Sequence, residues 1–153
     1  MAFDRNASSV TSPDWSLALT KSVTFDGGTT NGIGDYDGTG NPVTLFTVSG
    51  PVLLRVFGIC SVDLVGASAT CSVGTALSTA GLIASTTATN IDVNEIWHDA
   101  TPDASVELST VATQKIVNQN VILTVGTANV TAGAITFYCH WFPLGPDSKV
   151  TAA

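Results

Sequence analysis

The chain has few charged residues for its length. Of its 153 residues, 11% are Asp, Glu, Lys or Arg, whereas soluble domains usually contain about 25%. Exposed charge keeps protein molecules apart, so a surface that lacks it repels neighbouring proteins weakly. We therefore expect a protein that lives in close contact with other subunits. A stable secreted protein that has drifted to low charge is the alternative.

Basic residues are especially scarce. Five basic residues against twelve acidic ones give a net charge of −7. The basic residues are scattered along the chain as Arg5, Lys21, Arg55, Lys115 and Lys149. No basic stripe is present to displace counterions from a nucleic-acid backbone, so we expect no direct nucleic-acid partner. The same argument disfavours anionic membrane surfaces.

The chain also lacks the patterns that direct proteins to membranes or to secretion. No apolar stretch approaches the ~20 residues that a membrane-spanning helix needs. The first residues do not combine a basic start with an apolar run, so no secretory signal is predicted. We expect a protein made in a cytoplasm that is soluble until it assembles.

Cysteines are few and odd in number, at positions 60, 71 and 139. A disulfide framework requires an even number and denser spacing. Cys60, Cys71 and Cys139 are therefore predicted to be reduced, buried thiols, which is a common fate of cysteine. A single Cys60–Cys71 bridge is the alternative.

Catalytic motifs are missing from the sequence. No nucleophile elbow, phosphate-binding glycine loop, zinc-protease motif or dinucleotide fingerprint is present. His98 and His140 are the only histidines. Cys139 and His140 are neighbours on a predicted strand and therefore point to opposite faces, which argues against a shared zinc ion or a Cys–His dyad. We expect no catalytic residue, no cofactor and no enzyme activity.

Glycoside cleavage is the one reaction that the carboxylates would allow, since it needs two of them across a cleft. The candidates are Asp63, Asp92, Glu95, Asp99, Asp103 and Glu107. Such clefts also need aromatic platforms, and only Trp15, Trp97 and Trp141 are available as tryptophans. The sequence therefore gives this reaction little support.

Short segments rich in β-branched residues and separated by turn signals predict an all-β protein. We expect a β-sandwich that is jelly-roll-like, with an extended N-terminal arm. The predicted division is an arm at residues 1–19, a sandwich at 20–146 and a polar C-terminal tail at 147–153. The strand candidates are residues 21–25, 43–48, 52–60, 69–75, 81–84, 91–97, 105–109, 121–125 and 134–142.

Three of these segments carry further expectations. Residues 52–60 are almost continuously apolar, which is typical of a central strand covered on both faces. Residues 121–125 and 134–142 are separated by a short link that predicts a hairpin. Trp141 falls on the apolar face of its strand, so we expect it in the core.

Residues 111–118 fit either one helical turn or another strand.

Residues 26–41 form a long predicted loop rich in Gly and Asp. Asp35 and Asp37 offer carboxylates two residues apart, as at the start of an EF-hand loop. Phe46 stands where that motif places its closing Glu. Asp35 and Asp37 are thus a weak calcium candidate, and a solvated turn-rich loop is the favoured interpretation. No other metal site is predicted.

The N-terminal arm contains two large aromatic residues, Phe3 and Trp15. Aromatic residues in an otherwise polar arm usually anchor it on a protein surface. That surface is either the chain's own domain or a neighbouring subunit, and we take Phe3 and Trp15 as candidate interface residues.

Three segments of the chain resemble a known protein family. They are residues 94–102 (NEIWHDATP), 118–138 (NQNVILTVGTANVTAGAITFY) and 43–75. These stretches resemble small β-sandwich head proteins of tailed bacteriophages. In that family a short module coats the capsid as a decoration (cement) protein, often as a trimer. The resemblance implies a virion structural protein on the capsid surface, made in the host cytoplasm, with the major capsid protein as its partner and a homotrimer as its assembly. The acidic balance favours the outside of the shell, away from packaged DNA.

Other functions remain open at this point. The chain could be another phage structural module, such as a head fibre base, a tail component or a capsid-forming jelly roll. A carbohydrate-binding module would use Trp97 and Trp141 as stacking platforms. A calcium-dependent adhesin domain would hold its ion at Asp35 and Asp37.

Overall fold

The computed structural model describes residues 17–107 and 113–153. It contains ten strands and one short 3-10 turn at Ala88–Asn90. The strands are β1 (Ala18–Thr24), β2 (Val43–Ser49), β3 (Val52–Val65), β4 (Thr70–Thr75), β5 (Ser78–Thr87), β6 (Ile96–Trp97), β7 (Lys115–Val117), β8 (Val121–Gly126), β9 (Ala132–Pro143) and β10 (Lys149–Ala152).

The strands form two antiparallel sheets of five strands each. In the first sheet β9 lies between β1 and β3, and both β6 and β7 pair with the other edge of β3. The second sheet has the order β10-β2-β8-β4-β5. Most connections carry the chain from one sheet to the other. The expectation of an all-β sandwich is confirmed.

The core lies between the sheets and is made by the alternate, inward-facing residues of each strand. Its largest fully buried side chains include Trp97, Phe46 and Phe137. The rings of Trp97 and Phe137 lie 6.0 Å apart at a tilt of 60°, a favourable aromatic geometry. The Trp97 indole N–H donates to Thr86 Oγ1 over 2.9 Å, so the buried polar group is satisfied and β6 is tied to β5 of the second sheet.

Two lysines connect the edges of the sheets. Lys115 in β7 donates from Nζ to the Gly81 carbonyl over 2.7 Å, and Gly81 belongs to β5 of the second sheet. Lys21 in β1 donates to the carbonyl of Ala153, just after β10. These two basic residues therefore join the sheets on opposite sides of the sandwich.

The sandwich extends beyond the predicted limits of residues 20–146. Strand β1 starts at Ala18, and the segment predicted as a polar tail contains β10, in which Val150 is only 4% exposed. A four-residue edge strand needs one inward apolar residue, so its composition is mostly polar and resembles that of a tail. The rest of the predicted arm, residues 1–16, lies outside the described residues.

The predicted hairpin between residues 121–125 and 134–142 does not form. Strand β8 pairs with β2 and β4 in the second sheet, whereas β9 pairs with β1 and β3 in the first. Sheets in a sandwich lie about 10 Å apart, a gap that the short link spans. Local alternation gives the inward face of a strand but not its partner, and this is why the prediction was wrong.

Other strand predictions shift in extent. Of residues 91–97 only Ile96–Trp97 forms a strand, and residues 105–107 lie outside any strand. Residues 108 and 109 fall outside the described residues. Of residues 111–118, the first two also fall outside the described residues, and Lys115–Val117 forms a strand that pairs with β3.

Strand β3 is central in its sheet but is covered on one face only. Its inward residues are buried, whereas its outward residues, including Leu53, Phe57 and Ile59, are partly exposed. The prediction of burial on both faces was wrong because these outward residues are themselves apolar. An apolar face of a sheet that the sandwich leaves open is therefore the feature to examine for function.

Candidate functional site

The outward face of the first sheet carries rows of residues from neighbouring strands. Residues opposite each other in an antiparallel pair point to the same face. Phe57 of β3 lies opposite Tyr138 of β9, and their rings stack with centroids 5.2 Å apart and planes within 9°. The next row places Arg55 opposite His140. An aromatic pair flanked by one cationic and one titratable side chain thus occupies the middle of this face.

A second apolar row lies where β7 joins the sheet. Leu53 is opposite Phe142 on one side and opposite Ile116 on the other. Ile116 is 73% exposed and Phe142 is 37% exposed. Beside Ile116, an open depression of ≈ 160 Å³ separates β7 from β5. We name this surface the outer apolar face; its members are Leu53, Phe57, Ile59, Ile96, Ile116, Tyr138 and Phe142.

His140 lies inside this surface in an environment that favours its neutral form. Its ring is 6.3 Å from that of Phe57, with the planes within 26°. Burial, followed by the nearby charge of Arg55, lowers the pKa of His140. Its Nδ1 atom is buried and has no hydrogen-bond partner within residues 17–107 and 113–153. A partner protein that covered His140 at neutral pH would therefore bury a neutral ring rather than a charged one.

The predicted interface residues of the arm, Phe3 and Trp15, lie outside the described residues. The structure does fix where the chain enters the sandwich. The Leu17 carbonyl accepts a hydrogen bond from the Trp141 backbone N–H over 3.1 Å. Ala18 then pairs with His140. The arm therefore joins the domain at the edge of the first sheet, in the same row of residues as Arg55 and His140.

A separate polar cluster surrounds His98, just after β6. The His98 side chain is 5% exposed, and its Nε2 lies 3.1 Å from Asp103 Oδ2 and 3.6 Å from Glu107 Oε2. Its Nδ1 lies 3.8 Å from Asp99 Oδ2. Three of these residues, His98, Asp103 and Glu107, offer ligand atoms within 4.8 Å of one another and could hold a metal ion. The expectation of no zinc site was based on Cys139 and His140, which point to opposite faces of one strand, and it did not combine His98 with the carboxylates that follow it in sequence.

The loop at residues 26–41 is held by turns that repeat every three residues. Backbone N–H groups of Thr29, Gly32, Asp35, Gly38 and Asn41 each donate to the carbonyl three residues earlier. Further along, the Asn41 side chain pairs with both backbone groups of Val125 in β8, at 3.0 Å and 2.7 Å. The loop is therefore anchored to the second sheet by the chain's own hydrogen bonds.

The calcium candidate lies in this loop. Asp35 is 7% exposed and its Oδ2 accepts a hydrogen bond from the Asn31 backbone N–H over 2.9 Å. Asp37 is exposed. A backbone donor thus occupies one of the oxygens that an ion would need, and calcium binding by Asp35 and Asp37 stays a prediction.

All three cysteines are free thiols and are buried, as predicted. Burial raises the pKa of Cys60 to about 11 and the pKa of both Cys71 and Cys139 to about 12. The reactive thiolate is therefore scarce at neutral pH. Cys139 faces the core while His140 faces outward, so the two do not form a catalytic dyad.

The tryptophans do not provide a sugar-binding platform within the described residues. Trp97 is fully buried, and Trp141 is partly buried against the core. Trp15 lies outside the described residues. Two of the carboxylates considered for glycoside cleavage accept hydrogen bonds from the backbone. Asp63 accepts from the Val93 N–H over 2.6 Å, and Glu95 accepts from the Asp92 N–H over 2.9 Å.

Comparisons with protein-family models, with curated proteins and with solved structures find no match to this chain. Within the described ranges, no helix is both long enough and apolar enough to cross a membrane.

The sequence offered a signal for one of the two features that the sequence interpretation missed. The continuous apolar run at 52–60 contains three members of the outer apolar face, Leu53, Phe57 and Ile59, but only the pairing of β3 with β6, β7 and β9 assembles the whole surface. The His98 cluster lies in an irregular segment, with five residues from His98 to Asp103 and four from Asp103 to Glu107. No helix or strand would place all three side chains on the same face with this spacing.

Proposed function

We propose that this chain is a virion structural protein that binds the outer face of a phage capsid and stabilises it by bridging capsid subunits. The observation that carries the proposal is the outer apolar face, in which Ile116 is 73% exposed beside Leu53 and Phe142. Exposed apolar surface on a sheet is a common mark of a protein-binding site. The phage shell as the partner comes from the resemblance described above.

The composition of the face supports a protein partner. Aromatic residues and arginine are enriched at the centres of protein interfaces, and they contribute most of the binding energy where they are well packed. Phe57, Tyr138 and Arg55 lie together on this face. Their partial exposure leaves area that a second protein can cover. A stable contact usually buries about 1,200–2,000 Å² in total, so neighbouring surface must also take part.

The charge of the chain supports contact with protein rather than with packaged DNA. The net charge is −7 and charged residues are only 11% of the total. The low density of charged residues leaves much of the surface neutral and suited to contact with protein, and the negative balance provides no attraction to phosphate groups. Both properties fit a subunit that covers the outside of a particle in many copies.

The proposed stabilisation is mechanical in origin. Packaged DNA presses outward on a shell and opens the junctions between its subunits. A module that contacts two or more subunits adds interface area that must be broken before a junction opens. Many copies on one particle make the total effect large even where a single contact is modest.

The arm gives the proposal a second contact. Residues 1–16 precede the edge of the first sheet, and we propose that Phe3 and Trp15 reach a neighbouring subunit. Removal of residues 2–16 tests this, because Leu17 still bonds to Trp141 and β1 remains complete. Shell binding should be lost while thermal unfolding is unchanged, and full binding by the truncated chain would reject the role of the arm.

The direct test uses empty shells of the virus that lack this protein. The purified chain should sediment with the shells and raise the temperature at which they open. Sizing of the isolated chain should give a homotrimer, as the resemblance implies. A monomer that does not sediment with shells, and that is absent from purified particles, would contradict the proposal. A chain found only in tails or fibres would support the alternative of another phage structural module.

A further inference from the structure

A buried histidine that faces two carboxylates is the feature of this chain that the proposed function does not use. His98 Nε2 is 3.1 Å from Asp103 Oδ2 and 3.6 Å from Glu107 Oε2. The Nε2 atom of an imidazole carries at most one N–H, which can point at only one of the two oxygens. A cation at the centre of the three atoms would be attracted to all of them at once.

We infer that His98, Asp103 and Glu107 form a binding site for a divalent transition-metal ion of the zinc type. Zinc binds imidazole nitrogen and carboxylate oxygen at about 2.0–2.2 Å in tetrahedral geometry, which places neighbouring ligand atoms about 3.3 Å apart. The two observed separations, 3.1 Å and 3.6 Å, lie on either side of that value. All three ligand atoms lie within 4.8 Å of one another, close enough for one ion to contact each of them.

The fold positions two of the three ligands, His98 and Asp103. His98 directly follows Trp97, which is fully buried in the core. Asp103 is fixed by a pair of backbone hydrogen bonds with Ile96, at 2.8 Å and 3.0 Å. The imidazole thus comes from the end of β6, and one carboxylate comes from the segment that pairs back onto the same strand.

The surroundings favour a cation over a simple ion pair. Asp99 adds a third carboxylate, with Oδ2 at 3.8 Å from the other ring nitrogen, Nδ1. A carboxylate on the far nitrogen of a ligating histidine is also the usual arrangement behind a metal-bound ring.

The ligand types select the class of metal. One nitrogen and two oxygens suit zinc and its divalent neighbours, whereas calcium prefers oxygen ligands alone and in greater number. The Asp103 side chain is 43% exposed and that of Glu107 is 19% exposed. An ion can therefore enter from solvent, and a water molecule can complete the coordination. The bound ion would fasten residues 98–107 to the sandwich.

The test titrates the whole chain with Co²⁺ and Zn²⁺. Tetrahedral Co²⁺ should give the strong visible absorption that the hydrated ion lacks, with one ion per chain, and Zn²⁺ should remove that signal. Zn²⁺ at about 100 times its dissociation constant should raise Tm by about 5–10 °C for a chain of this size.

Conservative variants locate the site. Asp103→Asn and Glu107→Gln keep the side-chain shape and should each weaken Zn²⁺ binding by at least about 100-fold. Substitution of a residue that only hydrogen-bonds to a ligand usually weakens metal binding by about 10–100-fold. Asp147→Asn, at an exposed carboxylate between β9 and β10, is the matched control and should leave binding unchanged. His98→Ala is not needed, since removal of a buried ring could unfold the chain.

Three results would overturn the inference. Absence of the Co²⁺ absorption would show that the cluster is an ion pair, particularly if Asp103→Asn still lowers Tm. Binding that survives both substitutions would place the ion elsewhere. Binding lost equally in Asp147→Asn would mark nonspecific attraction to an acidic chain.

Discussion

Ile116→Asp is the substitution that separates the proposed contact most clearly from the stability of the fold. Ile116 lies in the three-residue strand β7, is 73% exposed, and shares a row with Leu53 and Phe142. In the isolated chain it buries little, so a change there should alter the free energy of unfolding by no more than about 1 kcal/mol. That corresponds to a Tm change of about 2–4 °C.

The expected effect on binding is larger and follows from the same exposure. Complete burial of an isoleucine side chain contributes about 1.5–3 kcal/mol. Covering the exposed 73% of Ile116 would therefore contribute about 1–2 kcal/mol, a factor of about 5–30 in affinity. An aspartate in its place adds the cost of burying an unpaired charge, so the total loss should exceed about 100-fold.

The assay is sedimentation of the variant with empty shells, read as bound protein against free concentration. Val65→Asp is the matched control, because Val65 is a 52% exposed β-branched residue at the other end of β3. The control should bind as the parent does. Equal binding by Ile116→Asp and the parent, with both variants folded, would refute the assignment of the outer apolar face as the contact.

Three further predictions follow from the core and from the pKa shifts. Phe137→Ala should lower the free energy of unfolding by about 3–5 kcal/mol, against about 1 kcal/mol for the partly exposed Phe142→Ala; similar losses in urea unfolding would contradict the assigned core. Iodoacetamide at neutral pH should label no cysteine in the folded chain and all three after denaturation, and rapid labelling of the folded chain would contradict their burial. Because the pKa of His140 is lowered on folding, the fold should lose stability as pH falls below about 6.5, and His140→Gln should reduce that loss; an unchanged pH profile would remove His140 as its source.

The fold class was readable from the sequence because strand formation is largely local. Alternation in residues 134–142 gave the inward face of β9, and Ile135, Phe137 and Cys139 are indeed fully buried. The pairing of strands was not readable, since β8 and β9 follow each other in sequence yet lie in different sheets. Alternation reports which side of a strand is apolar, and it does not report which strand lies beside it.

The candidate surfaces were harder to predict for the same reason. The outer apolar face combines β3, β7 and β9, and Ile116 comes from a segment that fitted a helical turn as well as a strand. The apolar run of β3 indicated burial on both faces, because apolar residues that a sheet leaves exposed cannot be told by type from residues of the core. The cluster at His98 depends on an irregular segment that returns to pair with Ile96, and no periodic pattern encodes that return.

The most direct test of the account is electron cryo-microscopy of the purified virus at a resolution that shows strands. The account predicts density for this sandwich on the outside of the capsid, with the sheet of β1, β9 and β3 turned toward capsid subunits and Ile116 buried in the contact. A sandwich that is absent from the particle, or one bound with that sheet facing solvent, would contradict it.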